Sequence, residues 1–211
     1  MQTITKSFLR YLLRRRSLSI LQLLGLACGV AASLGMGLAA MSALSSFTQA
    51  VEFLRGQSTH IIERNAGPME ETVLPLLMRD SSVKAFSPVI DRRIRLANNS
   101  QIRILGIDPF LDLGIRPELA RASFASSKKN NSRDSLAFIL DVKAVLLDAE
   151  TARELGLATG GILKSSYGDL KIMGTFPNPS GEPLLLMDMA NVQKLLAMPG
   201  FLDRVDLVLS D

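Results

Sequence analysis

The sequence predicts an α+β chain: one N-terminal transmembrane helix followed by a mixed α/β extracytoplasmic domain with short strand-helix-strand units. Three observations carry this. No charged residue occurs from Ser17 to Val51, yet 21% of the chain is charged. Period-two alternation frames a polar turn at Asn98-Asn99-Ser100. An apolar run, an aspartate and a short amphipathic segment then follow one another twice, around Asp148 and around Asp188.

The charge-free run sets the organisation: a basic segment at 1–16, a membrane helix at 17–46 and a domain at 47–211. A helix crosses a bilayer core of about 30 Å with roughly 20 apolar residues, and this run supplies more. A buried helix of a soluble protein is rarely so long without a charge. A cleavable signal peptide is the other competitor, with Ala43-Leu44-Ser45 as its cleavage site, but its apolar stretch would span only about 7–15 residues. Cleavage would leave a mature N-terminus near residue 46.

Lys6, Arg10, Arg14, Arg15 and Arg16 precede every acid in the chain. Positive charge before the first span places the N-terminus in the cytoplasm and the domain outside, which in a bacterium is the periplasm. Ile4, Phe8, Tyr11 and Leu12 recur at helical spacing opposite Lys6, Arg10 and Arg14, so 4–16 reads either as an amphipathic helix on the membrane surface or as a basic tail. The other 19 of the 24 basic residues nearly balance the 20 acids. The domain is therefore close to neutral, which argues against nucleic-acid binding.

Within the span, Gly25, Gly29, Ser33 and Gly37 are four apart, and each step drifts only about 40° around a helix. Such a stripe lets a second helix approach closely. Glycine is also common in membrane helices generally, but four small residues in register favour a packing face, and so partner helices.

In the domain, Gln57 to Arg64 is a candidate strand, ended by Asn65-Ala66-Gly67-Pro68. Glu70 to Arg79 reads as a short helix that Pro75 kinks or ends early. Val83 to Ile90 reads as extended. Arg93, Arg95 and Arg103 alternate with Ile94, Leu96, Ile102 and Ile104, the mark of a hairpin with one buried face. The arginines fit a solvated outer face better than a polyanion site. Residues 126–135 are too polar to bury and read as a mobile loop, a place where the domain could divide into two lobes. Asp148 and Asp188 read as N-caps, with Gly156 and Pro199-Gly200 stopping the helices. Ile162 to Lys164, Leu170 to Phe176 and Arg204 to Leu209 complete the strands.

Chemistry is nearly absent from the sequence. The only histidine is His60 and the only cysteine, Cys28, lies in the apolar run. That excludes a multi-histidine metal site, a Cys–His pair and any disulfide within the chain. There is no G-x-S-x-G elbow and no phosphate loop of the G-x-x-x-x-G-K-[ST] kind, Gly160-Gly161 lacking the lysine. No catalytic, cofactor-binding or metal-binding residue is assigned, no cofactor is expected, and an enzyme is not expected.

The order of several segments nevertheless resembles a known family. They are the basic start, Leu24-Gly25-Leu26-Ala27-Cys28-Gly29-Val30-Ala31, Leu54-Arg55-Gly56-Gln57-Ser58-Thr59-His60, Leu105-Gly106-Ile107-Asp108-Pro109, Glu154-Leu155-Gly156-Leu157 and Leu202-Asp203-Arg204-Val205-Asp206-Leu207. Together they resemble the N-terminal part of MacB/FtsX-type ABC transporter permeases: the first transmembrane helix plus the MacB-like periplasmic core domain. Gly160-Gly161 departs from the family's Gly-Asp. The resemblance implies a permease in the bacterial inner membrane that works with an ABC ATPase subunit and with further permease helices or a second permease copy. It implies export or extraction of a lipoprotein, peptide or lipid. The family continues into three more membrane helices, and no second hydrophobic run occurs before Asp211, so a fragment, a truncated product and a split subunit all stay open. The rival reading is a single-span anchored periplasmic binding or adaptor module, for which the small-residue stripe is idle.

Overall fold

The computed structural model describes residues 16–125 and 138–210. The 4–15 part of the basic segment and the expected loop at 126–135 lie outside them. The chain divides into two compact units, one ending at Phe47 and one beginning at Thr48.

Helix α1 runs from Arg16 to Arg55. Between Ile20 and Ser45 it is long and apolar enough to cross a membrane, with none of that stretch buried within the chain. Large apolar side chains such as Leu21, Leu26, Met36 and Leu44 are exposed on it. The helix continues past the expected boundary at 46, because Phe47 to Arg55 hold no breaker until Gly56, which takes φ 61°.

The second unit is built on one eight-stranded sheet. Its strands are β1 (His60–Glu63), β3 (Val83–Arg95), β4 (Gln101–Ile107), β5 (Ala144–Asp148), β6 (Ile162–Ser165), β7 (Gly168–Phe176), β8 (Leu184–Asp188) and β10 (Arg204–Leu209). The order across the sheet is β1-β10-β3-β4-β8-β5-β7-β6. A separate two-stranded sheet pairs β2 (Met69–Glu70) with β9 (Phe201–Leu202). The sheet is continuous across residues 126–135: β8 pairs with β4 in parallel and with β5 antiparallel. The expected division into two lobes is therefore not found, because strands from both sides of that segment share one ladder.

β3 is a single 13-residue strand, where the sequence suggests two pieces. Pro88 lies where β3 pairs with β10 only, since β4 joins from Val89 onward. A proline is tolerated in a strand that has a neighbour on one side alone. The expected hairpin is present, with Ile94 opposite Ile102 and Arg93 opposite Arg103. Its turn holds Asn99 at φ 69°, and the Asn98 Oδ1 accepts from the Ser100 N–H at 3.1 Å. At this end the sheet closes on itself: Leu96 bridges to Ser165 of β6, and Ala97 N–H donates to the Lys164 carbonyl at 3.0 Å.

Alternation divides the core between the two faces. Ile90, Ile94, Ile104, Leu147, Ile172 and Leu185 point to one face, where they meet helices α2 (Leu74–Arg79), α4 (Ala149–Glu154) and α5 (Met189–Leu195). Val89, Leu105, Ile107, Leu146, Phe176 and Leu186 point to the other, where they meet α3 (Pro117–Ala125), Phe138 and the last turns of α1.

Both aspartate caps form. Asp148 accepts from the Thr151 N–H at 2.9 Å, and its second oxygen accepts from Leu184 N–H at 2.9 Å. Asp188 accepts from Asn191 N–H at 3.2 Å. Gly156 ends α4 at φ 65°; α5 is followed by Ala197 at φ 52°, two residues before the Pro199-Gly200 expected to stop it. The helix expected over Glu70 to Arg79 is a 3-10 turn at Glu71–Val73 followed by α2. Pro75 sits in the first turn of α2. There it neither kinks nor ends the helix, since a first-turn residue needs no intrahelical N–H bond.

Candidate functional site: a buried arginine at the end of the long helix

The 3-10 turn at Leu111–Gly114 is set by Asp108, whose carboxylate accepts from the N–H groups of Phe110 and Leu111. The turn brings Asp112 and Arg116 inward, and Pro117 opens α3 directly afterwards. The Arg116 side chain is 1% exposed and the Asp112 side chain 0%. An arginine buried so deeply must have all its N–H donors occupied, and it does. Its Nε donates to Asp112 at 2.9 Å. One terminal nitrogen donates to Asp206 at 2.7 Å and to the Leu54 carbonyl at 3.2 Å. The other donates to Asp112 and to Ser87 Oγ, the latter at 3.2 Å. Ser87 in turn donates to Asp112 at 2.7 Å.

The Leu54 carbonyl lies in the last turn of α1, where carbonyls lack helical partners and the helix dipole favours a cation. Gln57 N–H donates to the Ile115 carbonyl at 2.8 Å. The Phe53 ring stacks on Phe176 with centroids 6.4 Å apart. All of these residues belong to the second unit, so the unit holds the final turns of α1 by one buried cation, one backbone bond and one ring stack.

From Arg116 a row of ion pairs runs along one face of the sheet. Asp206 also accepts from Arg204 at 3.0 Å, and Arg204 donates to Asp91 at 2.7 Å. Asp91 accepts from Arg103 at 2.6 Å. Glu182 then joins Arg103, at 3.2 Å, to Arg93, at 2.7 Å. Charges alternate along the row, and exposure grows from 1% at Arg116 to 66% at Arg93. The strand period of two puts positions 87, 91 and 93 of β3, 103 of β4 and 204 and 206 of β10 on a common face. The hairpin arginines Arg93 and Arg103 are thus paired with acids.

Burial raises the Asp112 carboxyl above the ordinary carboxylate range, more strongly than Arg116 and Ser87 lower it. At Asp91 burial also works upward, but hydrogen bonds and charge from Arg103 and Arg204 outweigh it, and the carboxyl is lowered. A carboxyl lowered by folding stabilises above its unfolded pKa of about 3.9, and that contribution is lost as pH falls through the lower folded value. Asp112 acts in the opposite sense, its contribution being greatest below the ordinary range. Asp91→Asn is therefore expected to cost about 2 kcal/mol near neutral pH, because Arg103 and Arg204 each lose one of their two acids and keep only Glu182 and Asp206. The loss should shrink on going to about pH 3. Unfolding of the detergent-solubilised chain at the two pH values measures both.

The residues singled out from the sequence lie elsewhere. Gly25, Gly29, Ser33 and Gly37 are exposed on α1, and a Cβ at Gly25, Gly29 or Gly37 would meet nothing within 4 Å. Arg16 begins α1; Lys6, Arg10, Arg14 and Arg15 are outside the described residues. His60 is exposed on β1 and pairs with Thr59 Oγ1 at 2.9 Å. Among the described residues no group of three His, Cys, Asp or Glu side chains is placed to hold a metal ion.

Ser87, Asp112, Arg116 and Asp206 escape a reading of the sequence. The one local signal is the four-residue spacing of Asp112 and Arg116. Three of the segments that carry the family resemblance do meet here: Leu54 to Gln57, Leu105 to Pro109 through Asp108, and Leu202 to Leu207 through Arg204 and Asp206.

Comparison with known proteins agrees with that resemblance. The MacB-like periplasmic core domain family matches residues 19–210. An uncharacterized ABC transporter permease protein of Mycobacterium tuberculosis is 26% identical over 91% of this chain, which spans 23% of that protein's length. The extracellular domain of the noncanonic ABC-type transporter YknZ from Gram-positive bacteria superposes with a TM-score of 0.52 at 11% identity, over 72% of this chain and 82% of that one. The periplasmic region of MacB from Actinobacillus actinomycetemcomitans gives 0.51 at 13% identity, over 77% and 80%. These two likenesses establish the fold. The family match covers nearly the whole chain, apolar helix and domain alike, and the chain belongs to the MacB-like periplasmic core domain family.

Proposed function

We propose that this chain is the first membrane helix and periplasmic domain of an ABC transporter permease of the inner membrane, coupling a partner ATPase to export or extraction of a lipoprotein, peptide or lipid. The basic segment at 1–16 is cytoplasmic, 17–46 crosses the bilayer and 47–211 is periplasmic. The carrying observation is the family match over residues 19–210, which takes in the apolar helix as well as the domain. The buried Arg116 supports the reading in a second way. A domain that follows the motion of its helix needs the end of that helix held fast, whereas a tethered adaptor needs only a linker.

The stripe Gly25, Gly29, Ser33 and Gly37 is the face for further permease helices or a second copy. Co-expression with candidate ATPase and permease partners, then pull-down from solubilised membranes, tests this. Recovery of a complex that is lost on Gly29→Leu with Ser33→Leu is the expected result. Recovery of free monomer alone contradicts it and favours the anchored adaptor.

A further inference from the structure

A pocket of about 310 Å³ opens at the end of the sheet where β3 closes onto the β6–β7 turn, lined by Arg93, Ile94, Arg95, Gln101, Ser166 and Tyr167. Its place follows from the register. Arg95 is opposite Gln101, and Ser166 N–H donates to the Arg95 carbonyl at 2.8 Å. The Leu96–Ser165 bridge fixes the two walls against each other. Eight strand residues separate Ser87 from Arg95, about 26 Å at 3.3 Å each, so the pocket lies at the far end of β3 from the buried Arg116.

The charges around it do not balance. Arg93 and Arg95 are two apart on one face of β3, about 7 Å, and Arg93 directly opposes Arg103. Glu182 is shared between Arg93 and Arg103. Asp91 is taken by Arg103 and Arg204. Among the described residues no acid is left for the exposed Arg95, and none lines the pocket. Every polar side chain on the wall (two guanidiniums, an amide, two hydroxyls) can donate a hydrogen bond. Tyr167 is 49% exposed. Several converging donors with a surplus cation suit a group with three or four acceptor oxygens and negative charge, which is a phosphate.

We propose that this pocket binds the phosphate group of a small ligand or lipid headgroup, with Arg95 as the principal contact and Gln101, Ser166 and Tyr167 as further donors. The proposal does not depend on the permease reading. The chain has two tyrosines and no tryptophan, so Tyr11→Phe leaves Tyr167 as the only strong fluorophore. The full chain in dodecyl maltoside micelles, which hold neither a fluorescent protein nor a phosphate, is titrated with inorganic phosphate and, separately, with phosphatidylglycerol dispersed in the same detergent, each against sodium chloride of equal ionic strength. A saturable change in Tyr167 emission is expected, with Kd raised about tenfold or more by Arg95→Ala, less by Arg95→Lys, and unchanged by Lys194→Ala on the distant surface of α5. Response to inorganic phosphate identifies a free phosphate as the ligand source, and response to phosphatidylglycerol alone identifies a headgroup. A change that never saturates, that sodium chloride reproduces, or that survives Arg95→Ala overturns the proposal. Arg95 is exposed and outside the core, so the variant keeps the fold and a negative result stands.

Discussion

Arg116→Met is expected to destabilise the domain by about 3–5 kcal/mol, the range for removing one partner from a buried ion pair. Methionine fills much of the volume, so the cost is electrostatic. Asp112 and Asp206 would face each other across a dry site, and the Leu54 carbonyl and Ser87 would lose a donor. A domain is stable by only about 5–15 kcal/mol in total, so the variant gives up a large share of its stability. Denaturant unfolding of the detergent-solubilised chain measures the loss. Adding Asp112→Asn should recover part of it, because the two residues share one network and their effects do not add. A loss below about 1 kcal/mol, the value of a surface pair, would mean that Arg116 is solvated in the native state.

Gly56→Ala is the second large effect. Gly56 has φ 61°, and a Cβ there would lie 2.2 Å from the Ile115 carbonyl oxygen, 2.5 Å from Arg116 Cγ and 2.8 Å from the Ile115 carbonyl carbon. Left-handed backbone costs an alanine about 1–2 kcal/mol. The overlap adds about 1–3 kcal/mol, because two of the three atoms are backbone and cannot swing aside. The expected total is about 2–5 kcal/mol by the same unfolding assay. Gly67 is the control: it has φ 77° but nothing within 4 Å of its Cβ position. Gly67→Ala should show the backbone cost alone, about 1–2 kcal/mol. Equal losses at the two sites would show that the Gly56 contact with Ile115 is loose.

Much of the architecture is readable in the residues because it is locally encoded. Asp148 and Asp188 cap helices three residues away, and Ile94 and Ile102 face each other across a turn of polar residues. The charge-free run needs no tertiary information at all. What stays hidden is encoded over distance. Arg116 sits before a proline that opens a helix, where a solvated charge is the ordinary expectation, and its partners Ser87 and Asp206 are 29 and 90 positions away. Nothing in composition or spacing links them. The glycine stripe is the converse case. It is plain in the sequence, but the described residues hold nothing that packs against it.

The claim at the centre of this account is that the domain grips the last turns of α1. Amide hydrogen exchange at Gly56 and Gln57 in the full chain tests it most directly. Gly56 N–H donates to the Glu52 carbonyl at 2.7 Å and Gln57 N–H to the Ile115 carbonyl at 2.8 Å. The account predicts protection at both amides comparable to that of the central strands β3 and β10, with that protection lost in Arg116→Met under conditions where the strands remain protected. Exchange at Gly56 and Gln57 in the unsubstituted chain as fast as in an open loop would contradict it.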